Sequence, residues 1–251
     1  MDPGAAEYDR IGVRYGATRR TDPRIGEQVA RALGDAAPVL NVGAGTGSYE
    51  PTDRAVVALE PSAVMMAQRP PGSAPAVRGM VEALPFRDAD LDAAMGILTL
   101  HHWTDWRRGL AEVRRVARRR IVLMTWDQDV WEQFWLVRDY LSVLVRLDRQ
   151  RYVPIPDILS ALGGGRVDPV PIPRDCLDGF TGSFWARPEA YLDPAVRAGM
   201  SSFNSVSPRE TAEGLDRLAA DLASGAWDRR YGHLRMSADH DIGYRLVVAG
   251  A

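Results

Sequence analysis

The stretch Val39-Leu-Asn-Val-Gly-Ala-Gly-Thr-Gly-Ser-Tyr-Glu50 sets a short apolar run against glycines at positions 43, 45 and 47. Glycine lacks a Cβ, so it serves where a backbone turns sharply or a ligand must approach it closely. An apolar run that opens into such a turn predicts a buried strand ending in a binding loop. Three glycines alone also fit a plain tight turn, so the surrounding residues must name the ligand.

Apolar runs recur on the C-terminal side of this stretch. Ala55 to Leu59 forms a second run ending at Glu60, and Leu91 to Leu100 a third ending at His101-His102-Trp103. Ile121 to Thr125 forms a fourth. Between them the period is helical: Ile25, Val29, Ala32 and Leu33 share one face, as do Leu110, Val113 and Val116 between Trp106 and Arg118. Strands alternating with helices predict a parallel α/β sheet. Beyond residue 126 the pattern changes. Val130 to Leu147 reads as one aromatic-rich helix, and residues 154–173 are rich in proline and glycine. Cys176 to Phe184 reads as a strand, Ser207 to Ala223 as a serine-capped helix with proline at its first turn, and Ile242 to Ala249 as a last strand.

Composition narrows the function. With 31 basic and 33 acidic residues the net charge is −2, so no general field draws the chain to nucleic acid. The basic run at Arg114, Arg115, Arg118, Arg119 and Arg120 therefore reads as a solvated helix face. No apolar run approaches the roughly 18 residues of a membrane span, and the first residues lack a secretory pattern. A cytoplasmic setting is expected. Cys176 is the single cysteine, which excludes an internal disulfide and a cysteine-based zinc site, and no metal constellation stands out. All basic residues are arginine, so lysine Schiff-base chemistry and a lysine-dependent phosphate loop are excluded.

The nicotinamide and flavin fingerprint G-x-G-x-x-G would need a glycine at Ser48. The spacing G-x-G-x-G, with Glu60-Pro-Ser62 closing the next strand, instead resembles motif I of class I S-adenosylmethionine-dependent methyltransferases. Gly79-Met-Val-Glu-Ala-Leu-Pro-Phe86 and Leu98-Thr-Leu-His-His-Trp103 resemble the family's adenine-side segment and the loop after its fourth strand. The resemblance is to the broad small-molecule group called methyltransferase type 11. It covers residues 8–125 and takes in the final strand. It implies a Rossmann-like α/β fold: a mainly parallel seven-stranded sheet, helices on both faces and a helical cap. One domain is expected, with residues 1–125 as cofactor-binding core, 126–240 as cap-like helices and sixth strand, and 241–251 as final strand.

The implied cofactor is S-adenosyl-L-methionine, leaving as S-adenosyl-L-homocysteine. Its methionine end would lie on Gly43, Ala44 and Gly45, its ribose on Glu60 with Pro61, and its adenine near Val81 and Glu82, with Leu98 closing the site. Tyr15 and Arg19, or Arg20 beside it, would cover the methionine end, an arginine holding its carboxylate bidentately. Three departures from the family stand out. Asn41 replaces a common acidic residue, Met80 replaces an aspartate that reaches adenine, and only eleven residues separate Gly43 from Ala55. The usual helix after the glycine loop must shrink to a turn or less.

His101 and His102 are the candidate acid–base residues, because a neutral imidazole can take a proton from an acceptor. Adjacent residues diverge on leaving a strand, so only one should reach the acceptor. The aromatic residues at 126, 131, 134, 135, 140, 180, 184, 185 and 191 supply core or pocket wall. The expected reaction is O-, N- or C-methylation of a small apolar or aromatic acceptor, with specialised metabolism as its setting. The alternatives are a non-catalytic cofactor-binding subunit or sensor with this fold, and a nicotinamide oxidoreductase. The oligomeric state is not written in the sequence.

Overall fold

The structure, a computed structural model, describes residues 19–250. Helix α1 (Pro23–Leu33) starts where the buried carboxylate of Asp22 accepts the Arg24 backbone N–H. Such a cap satisfies one of the amides that a helix start leaves open. The helix buries Ile25, Val29, Ala32 and Leu33, the face that periodicity predicts.

The main sheet contains β1 (Val39–Val42), β2 (Val56–Glu60), β3 (Ala76–Arg78), β4 (Leu91–Ile97), β5 (Ala117–Trp126), β6 (Arg166–Pro169) and β9 (Tyr244–Ala249). Its order is β3-β2-β1-β4-β5-β9-β6. Pairing is parallel from β3 through β5, while β9 runs antiparallel to both β5 and β6. A two-stranded ribbon pairs β7 (Ile172–Pro173) with β8 (Asp239–His240). From β1 the sheet grows one way to β2 and the other way to β4. That reversal opens a crevice beyond the carboxyl ends of the strands.

Alternation along each strand sends side chains to two cores. Met95, Val122, Met124 and Trp126 face α1 and the aromatic residues of the second half. Ala94, Ile121 and Leu123 face the opposite layer, which includes α3 (Trp106–Val116) and α5 (Ile155–Leu162). Further helices include α2 (Ala63–Ala67), α4 (Ser142–Arg151) and α6 (Pro208–Ala223). Glu210 closes the start of α6 by accepting the Ser207 N–H and O–H. Residues 43–55 form only turns and bends, as their short spacing predicts.

Three expectations change. The arginine run is not one helix face, because Arg118, Arg119 and Arg120 lie on β5. Arg118 and Arg119 both pair with Asp92, and Arg119 also pairs with Asp35. The helix read over 130–147 breaks at Leu141 (φ −124°, ψ 53°) before α4 begins. Helix α6 presses on that point: a Cβ on Gly214 would stand 2.0 Å from the Tyr140 carbonyl oxygen. Arg217 donates to the Asp139 and Tyr140 carbonyls, so those acceptors leave the helical ladder. Finally, residues 176–184 are not a strand. The Gly182 backbone lies against Ile242, where a Cβ would be 2.4 Å from Cδ1, and Thr181–Phe184 coils as a tight 3-10 turn. The sixth strand is β6, at the sheet edge, where its terminal proline is tolerated.

Candidate active site

Beyond the ends of β1, β2 and β4 lies a cleft of about 890 Å³, mouth included. Its lining includes Gly43, Ala44, Gly45, Glu60, Pro61, Val81, Glu82 and Leu98, together with Arg19 and His102. Every cofactor residue read from the sequence meets here except Tyr15, which lies outside the described residues. Gly43, Gly45 and Gly47 have φ of 63°, 53° and 96°, a region that residues with a Cβ enter only with strain. A Cβ on Gly43 would also stand 2.0 Å from Thr99 Oγ1. At Gly43 the loop thus shows bare backbone to the cleft because no side chain fits there.

Glu60 is buried, and two backbone N–H groups fix its carboxylate. Gly45 donates to Oε2 and Ser62 donates to Oε1, each at 2.8 Å. Glu82 Oε1 accepts the Asp105 N–H at 3.1 Å, whereas Oε2 is buried without a hydrogen-bond partner among the described residues. A buried orphan acceptor of this kind carries a cost unless a donor meets it. Adenine's amino group is such a donor, so the residues present fit the adenosyl group.

A second cavity of about 580 Å³ adjoins the first, and Arg19 and Leu98 line both. Leu98 adopts φ 52°, rare for a residue with a branched side chain, and its N–H donates to the Met124 carbonyl. Strained backbone of this kind gathers at functional sites. Trp126, Trp131, Phe180 and Tyr244 supply aromatic wall, and His101, Asp148, Thr181, Ser201 and Ser202 supply polar groups.

Comparison with known proteins fits this geometry. The family described as "Methyltransferase domain" matches residues 40–124. A solved structure from Anabaena variabilis, assigned as a methyltransferase of an antibiotic biosynthesis pathway, is 33% identical with a TM-score of 0.85. The alignment covers 92% of this chain and 98% of that one. The chain belongs to the class I S-adenosylmethionine-dependent methyltransferases. Two more distant structures share the fold alone. The [4+2]-cyclase SpnF is 16% identical with a TM-score of 0.56, over 98% of this chain and 94% of that one. A methyltransferase from Thermotoga maritima, named a possible histamine N-methyltransferase, is 18% identical with a TM-score of 0.52, over 66% and 84%. Comparison with curated proteins gave no match.

Membership of this family removes the nicotinamide alternative. Within the methyltransferase, the two histidines part company. His102 lines the glycine-loop cleft and His101 the second cavity, their ring centroids 3.9 Å apart. Burial, with His102, Arg151 and Arg19 nearby, holds the His101 pKa well below the usual 6.5. His101 is therefore a neutral imidazole at neutral pH.

Arg19 presents less to a cofactor carboxylate than the sequence implies. Its Nε and Nη2 donate to the buried carboxylate of Asp178 at 2.6 and 3.1 Å, so one edge of the guanidinium is committed. Tyr49 donates its hydroxyl to the same carboxylate at 2.9 Å. The aromatic residues at 126, 131 and 180 line the second cavity, whereas Phe134, Trp135, Tyr140, Trp185 and Tyr191 pack in the core and Phe184 packs against it.

Sequence reading missed Arg69 and Glu50, a buried pair at 2.8 Å beneath the glycine loop. Asn41 donates to Glu50, and Arg69 lies 3.4 Å from the Gly45 carbonyl oxygen as its donor. The acidic group that Asn41 replaces is thus present one hydrogen bond away. Its only signal was an acidic residue after the loop, which many solvated turns share. Asp148 and Tyr244 were missed too, since each reads as an ordinary member of a helix or strand.

Proposed function

We propose that this methyltransferase moves the methyl group of S-adenosyl-L-methionine to a small apolar or aromatic molecule held in the second cavity. The observation that carries this reading is the meeting of the two cavities at Leu98 and Arg19. When bound, the cofactor supplies an electrophilic methyl on a sulfonium. The protein's residues then bind, orient and exclude water. The Gly43–Gly45 backbone receives the methionine end, assisted by Tyr15 and by Arg19 held on Asp178. Glu60, fixed by the Gly45 and Ser62 amides, accepts from the ribose hydroxyls. Val81 and Glu82 hold the adenine, with Glu82 Oε2 accepting from its amino group. Methyl displacement needs in-line approach above all, so holding the two reactants in adjoining cavities is the protein's main contribution.

The reading assigns residues 1–125 and 241–251 to the cofactor core and 126–240 to a cap that shapes acceptor choice, within one domain. The Anabaena relative's assignment to antibiotic biosynthesis supports specialised metabolism as the setting. Among the described residues no helix is long and apolar enough to cross a membrane, which suits a cytoplasmic enzyme. Calorimetry on Glu60→Ala tests the cofactor assignment. The loss of a charged hydrogen-bonding group should weaken S-adenosylmethionine binding by roughly 1.5–3 kcal/mol. Unchanged affinity in a folded variant would remove Glu60 from the site and the cofactor from this cleft.

A further inference from the structure

Asp148, near the end of α4, brings a carboxylate to the second cavity. Among the described residues its one side-chain hydrogen bond is from Trp131 Nε1 to Oδ2, at 2.8 Å. Among the described residues no ion pair to Asp148 is formed. Arg19, in the same cavity, is bound to Asp178, and Arg151, one turn further along α4, donates to Ser205. His101 and Tyr244 face the same space. Burial drives the Asp148 pKa up to about 7, against the opposing effects of the Trp131 hydrogen bond and the Arg151 charge. An acid–base group is most effective when its pKa lies near the working pH.

The walls around the carboxylate suit a flat ring. Phe180 and Tyr244 meet edge to face with centroids 4.9 Å apart, and Trp131 and Tyr244 at 6.0 Å. Aromatic rings pack against further rings in such offset or edge-on arrangements.

Building on the reading of this cavity as the acceptor site, we propose that Asp148 selects a small aromatic acceptor bearing a hydroxyl or amino group. The acceptor's O–H or N–H donates to the Asp148 carboxylate while the aromatic walls hold its ring. In the transfer the acceptor's lone pair forms the new bond to the methyl carbon. The carbon–sulfur electron pair stays on sulfur, and the acceptor's proton passes to Asp148 and then to water.

The test is calorimetric binding of 2-naphthol, 2-naphthylamine and 2-methoxynaphthalene to enzyme saturated with S-adenosylhomocysteine. Naphthol or naphthylamine should bind about ten- to a hundredfold more tightly than the methoxy compound, the scale of one charge-assisted hydrogen bond. Whichever is tighter identifies the donor group. Asp148→Asn keeps the acceptor for Trp131 but turns an N–H toward the cavity, so the preference should shrink to about twofold or less. Asp148→Leu should erase it as well, with unchanged S-adenosylhomocysteine affinity reporting an intact fold. The wild-type preference should also fade as pH falls below about 7. Equal binding of all three compounds, no binding of any, or a preference that survives both substitutions would overturn the inference while the cofactor reading stands. Failure of S-adenosylhomocysteine to bind would bring down both.

Discussion

The glycine-loop cleft and the second cavity share Arg19 and Leu98, yet they are made of different material. The cleft is organised around backbone at one wall. Its glycine loop, the Gly45 and Ser62 amides that fix Glu60, and the buried Arg69–Glu50 pair below the loop hold that wall. Side chains such as Met65, Met80, Ile97 and Trp103 complete the lining. The second cavity is almost all side chain, drawn from the loop after β4, from β5, α4, β9 and the irregular segments around Phe180 and Ser201. A wall made of backbone tolerates no added atom but fixes a constant ligand well. A site made of side chains can be respecified one substitution at a time, which suits a variable acceptor. The substitutions below test that division.

The largest effect should come from the support beneath the cleft. Arg69→Met would leave Glu50 charged in a buried place, since their side chains are 6% and 8% exposed. Removing one partner of a buried pair costs about 3–5 kcal/mol. Chemical denaturation should show that loss, and Arg69→Met with Glu50→Gln should recover part of it. A loss under 1 kcal/mol would mean that the loop stands without this pair.

Next comes the loop itself. Gly43→Ala places a methyl group 2.0 Å from Thr99 Oγ1, at φ 63°. The left-handed backbone alone costs about 1–2 kcal/mol, and relieving the clash must move the loop. Cofactor affinity should fall about a hundredfold or more by calorimetry. Thr99→Ala in the same chain should restore part of it, because Oγ1 is the nearest obstruction. Undiminished affinity in Gly43→Ala would show that the cleft does not depend on bare backbone.

This division also explains what could be read from the chain before its structure. The glycine loop, Glu60 and the strand ends were legible because a backbone site forces particular residue types at fixed spacing, as Ser48 showed by breaking the rival pattern. The alternation of strands gave the sheet and α1. The cap was not legible. Its kink at Leu141 depends on Gly214, some seventy residues away, pressing on the Tyr140 carbonyl. The sixth strand hid in a proline- and glycine-rich stretch because it is a short edge strand ending at Pro169. Asp148 lies in Leu147-Asp-Arg-Gln-Arg151, which reads as a solvated helix end, and only the fold turns its carboxylate into a cavity.

The smallest effects should come from the histidine pair, and they sharpen the comparison most, because adjacent residues then report on different cavities. His102→Ala should weaken cofactor binding by about 1 kcal/mol, one ordinary hydrogen bond, without changing acceptor preference. His101→Ala should leave cofactor affinity unchanged and alter acceptor turnover alone. The pH dependence separates them further. The His101 pKa in the folded protein lies below 6.5 because burial and the neighbouring His102, Arg151 and Arg19 disfavour its charged form. On acidification an unfolded chain takes up a proton near pH 6.5 that the folded imidazole still refuses. The neutral imidazole's contribution is thus whole above about pH 6.5, and stability drops as pH falls below it. Denaturation midpoints of wild type and His101→Gln across pH 5–8 should therefore converge on the acid side and hold a constant gap above about 6.5. A gap that does not change with pH would place His101 in contact with water, outside the cavity wall, and would return the pair to a common structural role.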